Sequence, residues 1–318
     1  MTRTGKAMDI ILHIGAHLCA TTTFHDYLHR NRARLEATGC TVWGPRRTRH
    51  GLFAGLLPED GLSAPRPEAA RRALGRIRLN LARSAEAGVR RLIVSDPGMM
   101  GSLRANLRLG GLYCGLGERL ARLGQAFEGY PTKVVVTLRA PDSYWAAALA
   151  WGIVRGHGMP GAAMLTRLSE TGRSWRDVLE EVACALPDVP LQVLPFETFG
   201  GRPEAQLAAI APGPAPVQYA RDWLNATPRL PELRAWLGRQ GAALPTGTGR
   251  WQPFSPAQGA ALRESYSDDM MWLAGGGGGC ARLAVDPNKI PVGQTPPQPD
   301  LIRGRRDEQE DRRLAGAG

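Results

Sequence analysis

Lysine is almost missing from this chain. Of its 40 basic residues only Lys6, Lys133 and Lys289 are lysines, and the rest are arginine. A GC-rich genome produces such a bias, but it has a chemical consequence. Phosphate contacts must come chiefly from guanidinium forks, backbone amides or hydroxyls. Cysteine is sparse too. Cys19, Cys40, Cys114, Cys184 and Cys280 are odd in number, scattered and never spaced as CxxC, which points to a reduced compartment and no structural zinc. No apolar run approaches the length of a membrane-spanning helix, and no internal repeat is present. The basic N-terminus leads into an apolar stretch interrupted by His13 and a glycine loop, which reads as a core strand rather than a signal peptide. The expectation is a cytoplasmic protein with no membrane span, with Met8 as an alternative start.

What is present bounds the answer further. The chain has 318 residues, 43% of them apolar, enough for one large domain or two small ones with a sizeable core. The formal charge of +11 favours anionic partners: nucleotides, sulfated or phosphorylated substrates, nucleic acid or a membrane surface. Nucleic acid is disfavoured, because no basic stretch is interleaved with aromatics and no known module is visible.

Short runs that are apolar throughout alternate with helical patterns. Residues 10–14 (IILHI), 91–95 (RLIVS), 133–138 (KVVVTL) and 191–194 (LQVL) read as strands, with a further short strand at 41–43. Between them, Thr21 to Glu36 reads as one helix, with Phe24, Tyr27, Leu28 and Leu35 on its inner face. Residues 44–66 read as a loop, 69–87 as a helix, and another helix covers much of 116–128. Pro141 opens a helix through Trp151, since proline suits a first turn. Met271 and Trp272 lie on a helix that ends at the Gly275–Gly279 run. Fully apolar strands alternating with helices predict an α/β fold, a central parallel sheet flanked by helices on both faces. Functional residues then belong at the carboxyl ends of the strands. From Asp286 the chain becomes proline-rich and then mixed in charge, and 286–318 reads as a flexible tail behind a domain over 1–285.

The most informative stretch is His13-Ile14-Gly15-Ala16-His17-Leu18-Cys19-Ala20-Thr21-Thr22-Thr23-Phe24. A strand breaks at Gly15 and a helix begins in a run of threonines. Free N–H groups and the positive end of a helix then converge on one point, as an anion cradle requires. The loop lacks the second glycine and the lysine of a Walker A motif, which counts against a kinase. Asp96-Pro97-Gly98 follows another strand; Asp96 there is either a general base or the start of a turn. Cys19 at a helix start has no matching base and reads as a packing residue, like His13 on its strand and Trp145 on its helix. The run Arg46-Arg47-Thr48-Arg49-His50 is either a polyanion-binding loop or a solvated face.

The Gly15 loop resembles the P-loop of sulfotransferases that use 3′-phosphoadenosine 5′-phosphosulfate (PAPS), whose pattern is close to H-I-G-x-x-K-T-[GA]-T-T-[ST]-[FL]-Q. His13 to His17 and Ala20 to Phe24 fit. Leu18 stands in place of the lysine, Cys19 of a threonine and His25 of the glutamine. Val134 to Pro141 looks like the later strand with its terminal arginine, Arg139; the serine that follows in the family falls at Ala147. Arg250 to Pro256 looks like the late basic loop over the nucleotide, and Ser95 to Gly98 sits where acceptor-side residues lie in the family. Over 8–285 the chain is similar to bacterial PAPS-dependent sulfotransferases. The resemblance implies a three-layer P-loop NTPase-like fold that transfers a sulfuryl group from PAPS, without a metal, to a hydroxyl or amine of a carbohydrate or small molecule. It assigns Gly15, Ala16, Ala20, Thr21, Thr22, Thr23, Arg139 and Arg250 to the nucleotide. His17, if protonated, supplies a charge, and Asp96 is the candidate base. The acceptor pocket falls in the loops 44–66, 97–115 and 155–175.

Sulfuryl transfer builds negative charge on the bridging phosphate, so its catalyst must stabilise that charge and align the acceptor. A helix dipole contributes roughly 0.3–1 kcal/mol at exposed sites. Losing one preorganised electrostatic contact costs about 2.7–4 kcal/mol. Leu18 therefore also fits a catalytically impaired member of the fold, one that binds a nucleotide or partner without turnover.

Overall fold

A computed structural model of the protein describes residues 8–130, 132–170, 172–238, 241 and 244–288. The described chain up to Pro287 belongs to one compact unit. The expected tail lies outside the described residues, apart from Asp286, Pro287 and Asn288. Among the described residues no helix is long and apolar enough to cross a membrane.

The centre is a six-stranded, wholly parallel sheet: β1 Asp9–His13, β2 Cys40–Trp43, β3 Arg91–Ser95, β4 Thr132–Leu138, β5 Leu191–Pro195 and β6 Arg282–Leu283, ordered β2-β3-β1-β4-β5-β6. Alternation along the strands splits the core in two. Ile10, Leu12, Leu92, Val94, Val134 and Val136 join a core with the helices Pro67–Glu86, Leu116–Phe127, Pro141–Val154 and Trp175–Ala185. Ile11, Ile93, Val135 and Leu194 join the other core, with helix α1 Thr21–Arg30, helix α2 Arg32–Ala37 and the helix Pro203–Ile210. The protein is thus a three-layer α/β fold, with apolar strands because both sheet faces are covered.

The order places the chemistry. From β1 the chain leads through α1 and α2 to β2 on one side; from β4 it leads to β5 on the other. The carboxyl ends of β1 and β4 therefore flank a switch point, where open parallel sheets bind ligands. Gly15 follows β1 and Arg139 follows β4.

Three details differ from the sequence reading. The helix expected over 21–36 is interrupted at Asn31, a fully buried residue whose Nδ2 donates to the carbonyls of Tyr27 and Gln218, 3.1 and 3.0 Å away. A side chain that binds backbone carbonyls competes with helix continuation. The segment 44–66 is not wholly a loop: Pro45–Arg47 is a short helical turn and Thr48–Leu52 a π-helical one. The two-residue β6, which pairs with β5 at Gln192 and Val193, was too short to leave an apolar pattern.

Leu92, the second residue of β3, is fully buried. Leu92→Ala should lower the unfolding free energy by about 2–5 kcal/mol in urea titration; a loss well under that range would contradict a close-packed sheet core.

Candidate functional site

The Gly15 loop turns on three left-handed residues, Gly15 at φ +65°, Leu18 at +64° and Ala20 at +56°. The two without glycine's freedom each carry about 1–2 kcal/mol of steric cost. Strain of this kind persists only where surrounding contacts over-determine it, and here they do. Arg139, buried at the end of β4, donates from Nη1 to the Leu18 carbonyl at 3.0 Å and from Nε to Ser143 Oγ at 2.8 Å. The Arg139 carbonyl accepts from Trp175 Nε1 at 2.8 Å. On the other flank, the Tyr113 hydroxyl accepts from the His17 amide at 2.8 Å and meets His17 Nδ1 at 2.9 Å.

This geometry leaves the first turn of α1 open. Ala20 is its N-cap, with no capping side chain and no acidic residue in the turn, so its first amides remain free for an anion. A cleft of about 50 Å³ opens there, lined by Thr21, Thr22, Arg139, Arg250, Phe196 and Trp223. The Arg139 guanidinium sits 4.5 Å from the Phe196 ring centroid, and its Nη2 has no hydrogen-bond partner among the described residues. Burial lowers its pKa; the charge of nearby Arg250 acts in the same direction. Two cations thus share one small cleft.

The expected nucleotide residues divide into two groups. Ala20, Thr21, Thr22, Arg139 and Arg250 line the cleft or frame it. Gly15 and Ala16 lie buried beneath it and shape the turn; a β-carbon on Gly15 would stand 3.1 Å from Thr21 Cγ2. Thr23 is buried, and its hydroxyl is taken from the far end of the chain. It accepts from the Leu224 amide at 3.0 Å and donates to the Leu224 carbonyl at 3.3 Å, while Asn225 Nδ2 donates to Thr22 Oγ1 at 3.4 Å. Leu18 contributes only its carbonyl to this network. Ala147 is buried inside its helix. The hydroxyl on Arg139 comes from Ser143, one turn after it, which the sequence reading missed although its i+4 spacing from Arg139 was visible. Tyr113, Trp223 and Asn225 were also missed and carried no signal in sequence.

Asp96 is saturated. Its carboxylate accepts from Thr48 Oγ1 at 2.6 Å, from the Gly98 amide at 2.8 Å, and from Arg49 Nη2 at 2.6 Å with Nε at 3.0 Å. Burial pushes the carboxyl up, but these hydrogen bonds and the Arg49 charge outweigh it and hold it below the ordinary value. That geometry supports the turn reading of Asp96 over the base. Burial first, then the Arg49 charge, lower the His17 pKa to about 4, which favours the neutral ring at pH 7. That shift disfavours the charge expected from a protonated His17. Of the basic run at 46–50, Arg47 stacks on Trp43 at 4.6 Å and Arg49 holds Asp96. Burial raises the Cys19 thiol to about 12, which makes it inert.

Beneath the loop lies a chain of buried polar groups. His13 Nδ1 meets Ser95 Oγ at 2.7 Å, His13 Nε2 meets Thr137 Oγ1 at 3.1 Å, and His25 Nε2 meets the same Ser95 Oγ at 2.8 Å. Leaving any of these buried groups unpaired costs about 1–3 kcal/mol. Burial lowers His13 to about 3 and His25 to about 4. A larger cavity of about 650 Å³ opens at the opposite, amino ends of the strands, where none of these groups lies. Among the described residues no group of three or more His, Cys, Asp or Glu is placed to hold a metal.

No protein-family model matches the sequence, and no curated protein does. Among solved structures the chain is similar to a sulfotransferase from Alicyclobacillus acidocaldarius, with 16% identity over 73% of this chain and 90% of that one, at a TM-score of 0.38.

The histidines make stability depend on pH. Their folded pKa values lie below the unfolded 6.5, so as pH falls the unfolded chain takes up protons first. Stability is complete above pH 6.5 and is lost towards pH 3–4, with His13 alone contributing up to about 1.4 kcal/mol per pH unit. Urea midpoints measured from pH 7 to pH 4 should fall steadily; a flat profile would show that these rings are not buried neutral.

Proposed function

We propose that the protein is a sulfotransferase that moves a sulfuryl group from PAPS to a hydroxyl or amine of a carbohydrate or small molecule. The observation that carries this reading is the pairing of an open helix N-terminus with two arginines, Arg139 and Arg250, around one cleft. A single phosphate needs only the helix end; an arginine pair beside it suits a donor with phosphate groups at two positions.

In this reading the amides of Ala20 to Thr22 hold the phosphate that becomes the leaving group. Arg139, positioned by Ser143 and the Leu18 carbonyl, holds the 3′-phosphate together with Arg250. Phe196 and Trp223, whose ring centroids lie 6.4 Å apart, offer aromatic surface to a base. The sulfur–oxygen bond to the phosphate breaks, a sulfur–acceptor bond forms, and the acceptor's proton passes to solvent water. Charge grows on the departing phosphate oxygen beside the free amides and the α1 dipole, where fixed dipoles stabilise it without reorganisation. Asp96 serves to hold Arg49 and its turn. The cleft is smaller than the roughly 300–1,000 Å³ typical of ligand sites, so the 223–225 segment moves aside to admit a whole nucleotide. The domain over 1–285 and the tail over 286–318 are part of the same proposal, as is a cytoplasmic location.

A second reading is favoured by Leu18. Its side chain brings no cation to the leaving group, and its carbonyl already occupies Arg139. The protein is then a binding member of the fold that does not turn over.

Calorimetry with 3′-phosphoadenosine 5′-phosphate should show binding that Arg139→Ala weakens by about tenfold or more, the size of a lost charge-assisted hydrogen bond. Absence of binding by the unaltered protein would sink the first reading. Transfer from labelled PAPS to any acceptor would remove the second, whereas a large gain in rate on combining Leu18→Lys with Ala147→Ser would support a decayed site.

A further inference from the structure

Two buried hydrogen-bond chains end on the two half-buried histidines beside the Gly15 loop, and proton positions along each chain follow from what can donate. In the first, the buried Thr137 hydroxyl has His13 Nε2 as its sole partner among the described residues. Its proton is paired only if it goes to that nitrogen. His13 then carries its own proton on Nδ1 and donates it to Ser95 Oγ, and the Ser95 hydroxyl donates to His25 Nε2. The reverse order strands the Thr137 proton in the core. His25 is left with its proton on Nδ1.

The second chain runs from Asn106 Nδ2 to the Tyr144 hydroxyl at 2.9 Å, from there to the Tyr113 hydroxyl at 3.3 Å, and on to His17 Nδ1. The Tyr113 oxygen also accepts the His17 amide. Tyr144 is fully buried, and its proton is paired only when it goes to Tyr113, which leaves the Tyr113 proton for His17 Nδ1. His17 therefore carries its proton on Nε2. Neither His17 Nε2 nor His25 Nδ1 has a partner among the described residues. Both rings lie beside the Asp96–Arg49 pair, whose charges act on each of them; Arg119 and Arg155 act on His17 as well.

We propose that His17 Nε2–H and His25 Nδ1–H are two preset, uncharged donors for a sulfuryl or sulfate oxygen beside the Asp96–Arg49 pair. They are fixed as donors by the Thr137 and Asn106 chains behind them. The proposal rests on reading the site as one for sulfuryl transfer, and it supplies what the side chain of Leu18 does not. An imidazole held neutral donates without a titrating charge, and an outer nitrogen whose lone pair is protonated cannot act as a base.

NMR of the full chain, 15N-labelled at histidine, reads each tautomer directly. At neutral pH His17 should show its proton on Nε2 and His25 on Nδ1, with neither ring doubly protonated until about pH 4. Thr137→Val should release His25 towards the Nε2–H form and leave His17 unchanged; Tyr113→Phe should do the converse. The tautomers test the two chains, and the response to sulfate separates a donor role from a merely structural one. Inorganic sulfate should move both outer N–H resonances together. His25→Ala should weaken the sulfate response about threefold to tenfold, the range of one neutral hydrogen bond, and His25→Gln, which keeps an N–H donor, should largely restore it. Opposite tautomers, an imidazolium at pH 7, or sulfate that moves neither ring would overturn the proposal. If 3′-phosphoadenosine 5′-phosphate does not bind but tautomers and sulfate response hold, the nucleotide reading fails and the donor pair stands.

Discussion

The contact between Arg139 and the Leu18 carbonyl is the constraint on which the site depends. It joins the end of β4 to the middle of the Gly15 loop, across the point where the connections of the sheet diverge. Without such a clamp, a loop with Leu18 and Ala20 in left-handed conformations would relax, and the first turn of α1 would lose its exposed amides. Trp175 fixes the same arginine from behind and Tyr113 holds the loop from the other flank. Strain in the loop and rigidity around it are two sides of one arrangement.

The clamp also explains the electrostatics. An arginine that spends Nη1 on a carbonyl and Nε on Ser143 still turns Nη2 to the cleft, so one side chain both builds the site and charges it. With lysine nearly absent, cations enter only as planar forks fixed at several points. The histidine pKa values are lowered to about 3–4, chiefly by desolvation, which favours neutral rings. The site therefore combines a few fixed cations with neutral donors, in place of a mobile ammonium.

Much of this was legible from residue order. Four apolar strands, the glycine break after the first and the arginine following KVVVTL were enough to place both halves of the candidate cradle at the carboxyl ends of a parallel sheet. The helix break at Asn31 was not, since it depends on Gln218, a residue far along the chain. Asp96 stood between base and turn in the sequence because Thr48 and Arg49, which saturate it, approach through a helical turn that read as loop. Ser143 lies one turn from Arg139, whereas the sulfotransferase pattern places its serine at Ala147.

By itself the sequence determined the layering, the strand-end location of the candidate functional groups and the absence of a cationic side chain at position 18. Those follow from local periodicity and from the identity of single residues, which tertiary contacts do not alter. Tertiary structure decided which groups are charged, which are already bonded, and which nitrogen of each histidine carries its proton. Those properties belong to burial and to partners brought from 47 to 201 residues away, such as Asp96 to Arg49, Arg139 to Leu18 and Leu224 to Thr23. At the Gly15 loop, residue order could therefore indicate an anion cradle, and only the fold could show how its protons and charges are arranged.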